Sequence, residues 1–252
     1  MSEYFKDKRI ADLVQEHYAF AYVLFSYGVE YYDHVQKTLD ELCLEKDLHL
    51  DKVVAAYEQI REGHDVNAAG LNLEQMPLEL VLQYLRHNHL TFIKKRLPFL
   101  KHLLERLHDS GRELPGVPDL LALFPLFAEA LIQHMYEEED LIFEQVLQLL
   151  RQQAWGGHSL YEQFDTLNRV SIQQYADLHQ DDNGDEMFTI REATHQFTLE
   201  GPIQVRVLME ELKAFDNELK VHARIENEIF FPKAIQLEEE MVQDLREQSI
   251  WN

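Results

Sequence analysis

From Pro77 onward the chain has few strand signals, and its apolar residues recur at helical spacing over four long segments: Leu78–Leu107, Asp119–Leu150, Leu160–Leu178 and Pro202–Met241. Helices of that length have to bury their apolar stripes against one another, and short breaks make successive helices antiparallel. The breaks are Gly111–Pro118, Gly156-Gly157 and Gly201-Pro202. The expected fold is all-α, an antiparallel four-helix bundle over residues 77–252. Pro98 falls inside the first long helix and is expected to kink it.

Residues 1–64 read as a small helical unit ahead of the bundle. Lys8–Tyr18 has helical spacing at Ile10, Leu13 and Val14. Ala19–Val29 is aromatic and closes at Gly28, and Thr38 is placed to cap a helix running to Lys46. Asp51–Glu62 sets Val53, Val54, Tyr57 and Ile60 on one face and is expected to stop at Gly63. The aperiodic residues 65–76 are read as a linker.

Two stretches inside the bundle share one grammar. His134 precedes Glu138 by four residues, and His222 precedes Glu226 by four. On a helix that spacing stacks both side chains on one face. Each copy has an aromatic nine residues after its histidine, Phe143 and Phe231, and an apolar pair just before it, Leu141-Ile142 and Ile229-Phe230. One such pair is an ordinary surface ion pair; two copies with matching flanks point to a metal site. Glu137, Glu139 and Glu228 lie off the ligand face.

A bundle-core site draws its ligands from facing helices at one depth. Two ligands at equal depth on antiparallel neighbours are equidistant from the turn between them. From His89 to His134 is 45 residues, with a midpoint at 111.5; from His134 to His179 is also 45, with a midpoint at 156.5. From His179 to His222 is 43, with a midpoint at 200.5. All three midpoints fall on or beside the glycine breaks. His195 and His158 put midpoints where no turn residues stand, His87 points away from the face of His89, and His102 centres its turn less well. The candidate metal ligands are His89, His134, Glu138, His179, His222 and Glu226. The run Asp181-Asp182-Asn183-Gly184 after His179 is helix-breaking and leaves a surface histidine at a helix end as the other reading of that residue. Glu105/His108 and Glu192/His195 have the Glu-x-x-His spacing of ferritin-like sites but lie near the expected turns, and read as helix-end residues.

Four imidazoles and two carboxylates fit two metal ions about 3.5–4 Å apart, each Glu bridging and each ion taking two histidines. Nitrogen and oxygen ligation without thiolate suits iron or manganese. With an oxo or hydroxo bridge, each ion keeps a position for a small ligand such as O2 or NO.

A net charge of -23 argues against nucleic acid or an anionic membrane surface as a partner. The single cysteine, Cys43, excludes an intrachain disulfide and a cysteine-held cluster. The N-terminus has no signal-type apolar core, and no apolar run approaches the ~20 residues of a membrane span. The expected location is the cytoplasm, as a monomer or homodimer.

At this point the chain resembles the repair-of-iron-centres family of di-iron proteins with a hemerythrin-like bundle. HMYEEEDLIF and HARIENEIFFPKA look like that family's His-x3-Glu helices, and Glu226–Pro232 is the most specific part. HLTFIKKRLPFL resembles its first ligand helix, and REATHQFT at 191–198 resembles the segment after its third ligand, which selects His179. Relative to the family the chain carries extra residues around 151–170. Tyr27–Glu30 and Lys37–Leu39 resemble the small domain before the family's bundle, where a Cys-Cys pair normally follows the Tyr-Gly segment; here Tyr32 and Asp33 stand in those places. The N-terminal unit therefore reads as a packing domain without a site of its own.

The resemblance implies a pair of bridged iron ions and repair of iron–sulfur clusters damaged by oxidative or nitrosative stress, with damaged cluster proteins as partners. The residues alone equally allow an O2 or NO binding or sensing protein, or an NO- or peroxide-reducing enzyme. A metal-free helical interaction protein is the remaining alternative.

Overall fold

Helices account for the named elements of the chain, and the fold is an all-α helical bundle with no named strand among the described residues. The computed structural model describes residues 2–65, 72–110, 114, 116–155, 171–182 and 186–250. The turn glycines Gly111 and Gly156-Gly157, the middle of the linker at 66–71, most of the extra residues of 151–170 and Asn183-Gly184 lie outside the described residues. Two units divide the chain, one of residues 1–70, 95–125 and 189–218, the other of 71–94, 126–188 and 219–252.

In the first unit, short helices Ile10–Glu16, Ala19–Ser26 and Leu39–Glu45 precede Leu50–Asp65. The last of these runs two residues past Gly63, because a glycine weakens a helix without ending it. Thr38 makes a full capping box with Glu41, satisfying two backbone N–H groups that the first helical turn leaves open. Gly28 takes φ 71°, a left-handed conformation that reverses the chain after Ser26. Phe20 stacks on Tyr57 at 4.2 Å between ring centres, and Leu13, Leu24, Leu39, Leu42 and Val53 fill the core around them. Cys43 is buried, and burial pushes its thiol up to about 11, so it is inert at neutral pH.

The same unit buries a cation. Arg96 donates to Glu211 at 2.9 Å and to Glu218 at 3.0 Å, with the Tyr22 ring 5.1 Å away. Two carboxylates hold its guanidinium charged despite burial. At the end of Phe188–Ala193, three successive non-glycine residues, His195, Gln196 and Phe197, take positive φ. The Thr194 hydroxyl accepts from Phe197 N–H and so closes this left-handed turn.

In the second unit, helical segments of all four long stretches meet: Leu78–Thr91, the end of Val117–Glu138 with Glu144–Trp155, Ile172–Asp182, and the end of Ile203–Ile225 with Phe231–Ile250. Their directions follow from the pairs they make. His89 meets His222 while Met76 meets Lys233, so the first and fourth run antiparallel. His179 meets Glu138, while Ile172 N–H and Gln145 both bond Glu238, so the third opposes the second. The helix over Val117–Ala154 is long and apolar enough, by length and composition, to cross a membrane. Its inner face, however, carries Glu138 into the interior.

Three five-residue π turns interrupt the long helices: Phe92–Arg96, Glu139–Phe143 and Glu226–Phe230. Pro98 and Pro232 each follow one by two residues. A proline there lacks the N–H that would bond the fourth carbonyl back, and its ring crowds that carbonyl. The local departure near Pro98 is thus a π turn within a helix that continues to Asp109.

Candidate metal centre

Every predicted ligand lies on a helix of the second unit. His89 is on Leu78–Thr91, His134 and Glu138 end Val117–Glu138, His179 is on Ile172–Asp182, and His222 lies in the last turn of Ile203–Ile225. Glu226 opens the π turn that follows. The structure brings all six together. His89, Glu138, His222 and Glu226 form one group able to hold a metal, and His134, Glu138 and His179 a second, with ligand atoms in each group within 4.8 Å of one another. Glu138 belongs to both.

Each carboxylate divides its oxygens between the two histidine pairs. Glu138 Oε1 lies 2.7 Å from His179 Nε2 and 3.5 Å from His134 Nε2, while its Oε2 lies 3.3 Å from His89 Nε2. Glu226 Oε1 lies 3.0 Å from His222 Nε2 and 3.9 Å from His89 Nε2, while its Oε2 lies 4.0 Å from His179 Nε2. Five of the six residues are nearly sealed from solvent; the His134 side chain is 34% exposed.

Protein hydrogen bonds do not satisfy this cluster. His89 Nε2 and His222 Nε2 face each other at 2.9 Å, a contact in which only one nitrogen can donate. Glu138 Oε2 and Glu226 Oε1 are buried with no hydrogen bond of sound geometry. Lone pairs crowded into one dry space are what a cation would relieve, so the donor set fits a metal.

The protonation states tell the same story. Burial pushes Glu138 up, but the hydrogen bond from His179 and the other imidazoles around it outweigh this and hold the carboxyl well below the usual range. Glu226 goes the other way, raised by burial and by the charge of Glu138. Two like charges buried in one cluster disfavour each other's ionisation unless a cation offsets them. Burial lowers His222 to about 4, leaving the neutral imidazole that metal ligation needs. For His179, the loss of solvent is outweighed by Glu138, and its proton is held more tightly than usual.

The π turns explain the aromatic flanks. At about 100° per residue, nine residues of uniform α-helix would put Phe143 on the side opposite His134. A π turn adds a residue without adding rotation, so Phe143 lands near the face of Glu138. Its ring stacks on His89 at 5.3 Å and 8°, and meets Phe230 at 5.1 Å. In the second copy Phe231 packs on His179 at 5.2 Å. These rings wall the cluster and exclude water.

Two carboxylates near the ligands escaped the sequence reading. Glu139 was placed off the ligand face, yet its Oε1 lies 3.3 Å from His89 Nδ1 and its Oε2 2.8 Å from Arg86. It reaches the neighbouring helix rather than its own face. Such a contact holds the proton on Nδ1 and leaves Nε2 free for a metal. Glu186, on the described stretch after His179, stands 3.6 Å from His134 Nε2. Nothing in its local spacing marks it. His195 belongs to the first unit, is exposed and sits at φ 49° in the left-handed turn. Glu105, His108 and Glu192 are exposed in the first unit too, and His87 is exposed on its helix.

No family model matches the chain. Curated relatives do. The iron-sulfur cluster repair protein YtfE of Enterobacter sp. (strain 638) is 23% identical over 237 residues, covering 92% of this chain and 98% of that protein. The protein of the same name from Yersinia pestis (strain Pestoides F) is 25% identical over 165 residues, covering 64% of this chain and 68% of that one. The chain is therefore similar, at 23–25% identity, to proteins named for iron-sulfur cluster repair.

Proposed function

We propose that the chain is a di-iron protein of iron–sulfur cluster repair, acting in the cytoplasm on cluster proteins damaged by oxidation or nitrosation. The observation that carries this reading is the division of oxygens: Glu138 and Glu226 each present one oxygen to His89/His222 and the other toward His134/His179. The two carboxylates would bridge, and each histidine pair would hold one ion. When bound, the metal would supply binding of a small ligand such as O2 or NO. The chain's own residues set the conditions for that chemistry. His222 stays neutral, Glu139 orients His89, and Phe143, Phe230 and Phe231 keep the inner side dry. The repair role rests on the names of the relatives. In this reading residues 1–64 are a small domain ahead of the bundle, joined through 65–76.

Iron measured after anaerobic reconstitution tests the site: about two per chain are expected, and a value near zero rejects it. Reactivation of a damaged cluster enzyme in cell extract tests the role. Iron-loaded protein that binds NO or O2 but restores no activity is a binder or sensor instead.

A further inference from the structure

A second cluster of metal-competent atoms lies in the first unit. Glu30 precedes the short 3-10 turn Tyr31–Asp33, and His102 lies on Leu97–Asp109. His102 Nε2 is 2.8 Å from both Glu30 Oε2 and the Tyr32 hydroxyl, and that hydroxyl in turn contacts the same Glu30 oxygen. Three donor atoms of three chemical kinds thus touch one another in a closed triangle.

Hydrogen bonding alone accounts poorly for it. The phenol has one hydrogen and Nε2 at most one, so two hydrogens have to serve three contacts. The triangle does match a face of a coordination octahedron. For metal–ligand distances of about 2.0–2.1 Å, the edges of such a face are roughly 2.9 Å. Two edges already have nearly that length, and the third, between Glu30 and Tyr32, has to lengthen to match. We propose that Glu30, Tyr32 and His102 form a metal site of their own, taking one ferric ion through a carboxylate, a phenolate and an imidazole.

Hard oxygen donors beside one nitrogen favour ferric iron over soft or cuprous ions. The Arg106 guanidinium lies 4.5 Å over the Tyr32 ring and 3.8 Å from Asp33. Burial and the Glu30 carboxylate hold the Tyr32 phenol protonated, with Arg106 opposing them only in part, so a bound cation has to displace that proton, which leaves to solvent. Three ligands on one face leave the opposite face open. Tyr32 also lines a cavity of about 260 Å³, with room for water, whose polar lining includes Arg106, Asp109, Ser110 and Gln204. The exposure of the pair, 26% for the His102 side chain and 36% for Glu30, lets an ion enter from solution.

The test uses the full chain loaded with iron in air and freed of loosely bound metal. Wild type is expected to hold about one iron more than Tyr32→Phe or His102→Ala, and to show tyrosinate ring modes by resonance Raman excited in the visible band. Both variants should lose those modes and keep the iron of the bundle. Tyr32→Phe keeps the ring and its packing, so it decides the matter if His102→Ala does not fold. Absent tyrosinate modes in wild type, or equal iron in wild type and Tyr32→Phe, overturn the proposal and leave a hydrogen-bonded cluster only. Neither result touches the bundle's own iron count, which stands or falls by its separate measurement.

Discussion

Glu226 is the residue at which stability and the proposed metal binding oppose each other. Its carboxyl is buried beside Glu138, and its proton is held well above the ordinary carboxylate range. A group whose folded value is raised stabilises the fold at low pH and loses that contribution as pH rises through the folded value. The metal-free protein should therefore weaken as pH rises past the range where an ordinary carboxyl ionises. Glu226→Gln imitates the protonated form at every pH. Metal-free Glu226→Gln is expected to melt at or above the wild-type temperature at pH 7.5, with iron content cut by at least half. A metal-free variant less stable than wild type, or one that fills normally, contradicts this account. Glu137→Ala, on the exposed neighbour, should change neither quantity.

At the scale of the element, the π turns carry a consequence that uniform helices do not. Deleting one residue from an α-helix rotates one half against the other by about 100°. Deleting Leu141, half-exposed within Glu139–Phe143, instead turns five residues into four and leaves Phe143 still aligned with Glu138. The Leu141 deletion is expected to keep its far-ultraviolet helicity and melt within a few degrees of wild type. Deletion of Gln133 in Val117–Glu138 should lose both helix packing and iron. Equal damage from the two would show that the π turn does not absorb the change. Much of this architecture was legible, because 3.6-residue periodicity and glycine breaks determine which faces meet. The closeness of His89 to His222 and of His134 to His179 agrees with the near-equal spacing of the four histidines along the sequence, while the turns expected at Gly111 and Gly156-Gly157 lie outside the described residues. The π turns were legible only as an oddity, the aromatic nine residues after each histidine, which a uniform helix would send the wrong way. The reach of Glu139 to His89 and of Glu186 to His134 depends on how helices pack, which local spacing does not encode. The left-handed run at His195–Phe197 had no glycine to announce it.

For the molecule as a whole, the proposed metal site would make persistence depend on mineral supply through its pair of buried carboxylates. Anything that binds the folded chain and not the unfolded one stabilises it by mass action, by about 2.7 kcal/mol at a hundredfold excess over Kd. At the proposed site an ion would add to this by offsetting the mutual disfavour of the Glu138 and Glu226 charges. Limited proteolysis of iron-loaded and iron-stripped protein should separate the two forms by at least tenfold in half-life, with a double variant Glu138→Gln, Glu226→Gln insensitive to iron. Equal half-lives for loaded and stripped wild type would refute the coupling. A chain built this way reports on its environment before it performs any chemistry. On the proposed iron-binding reading, newly made copies would be the ones that quality-control proteases clear first where iron is scarce, so the standing amount of protein would track the iron available to it.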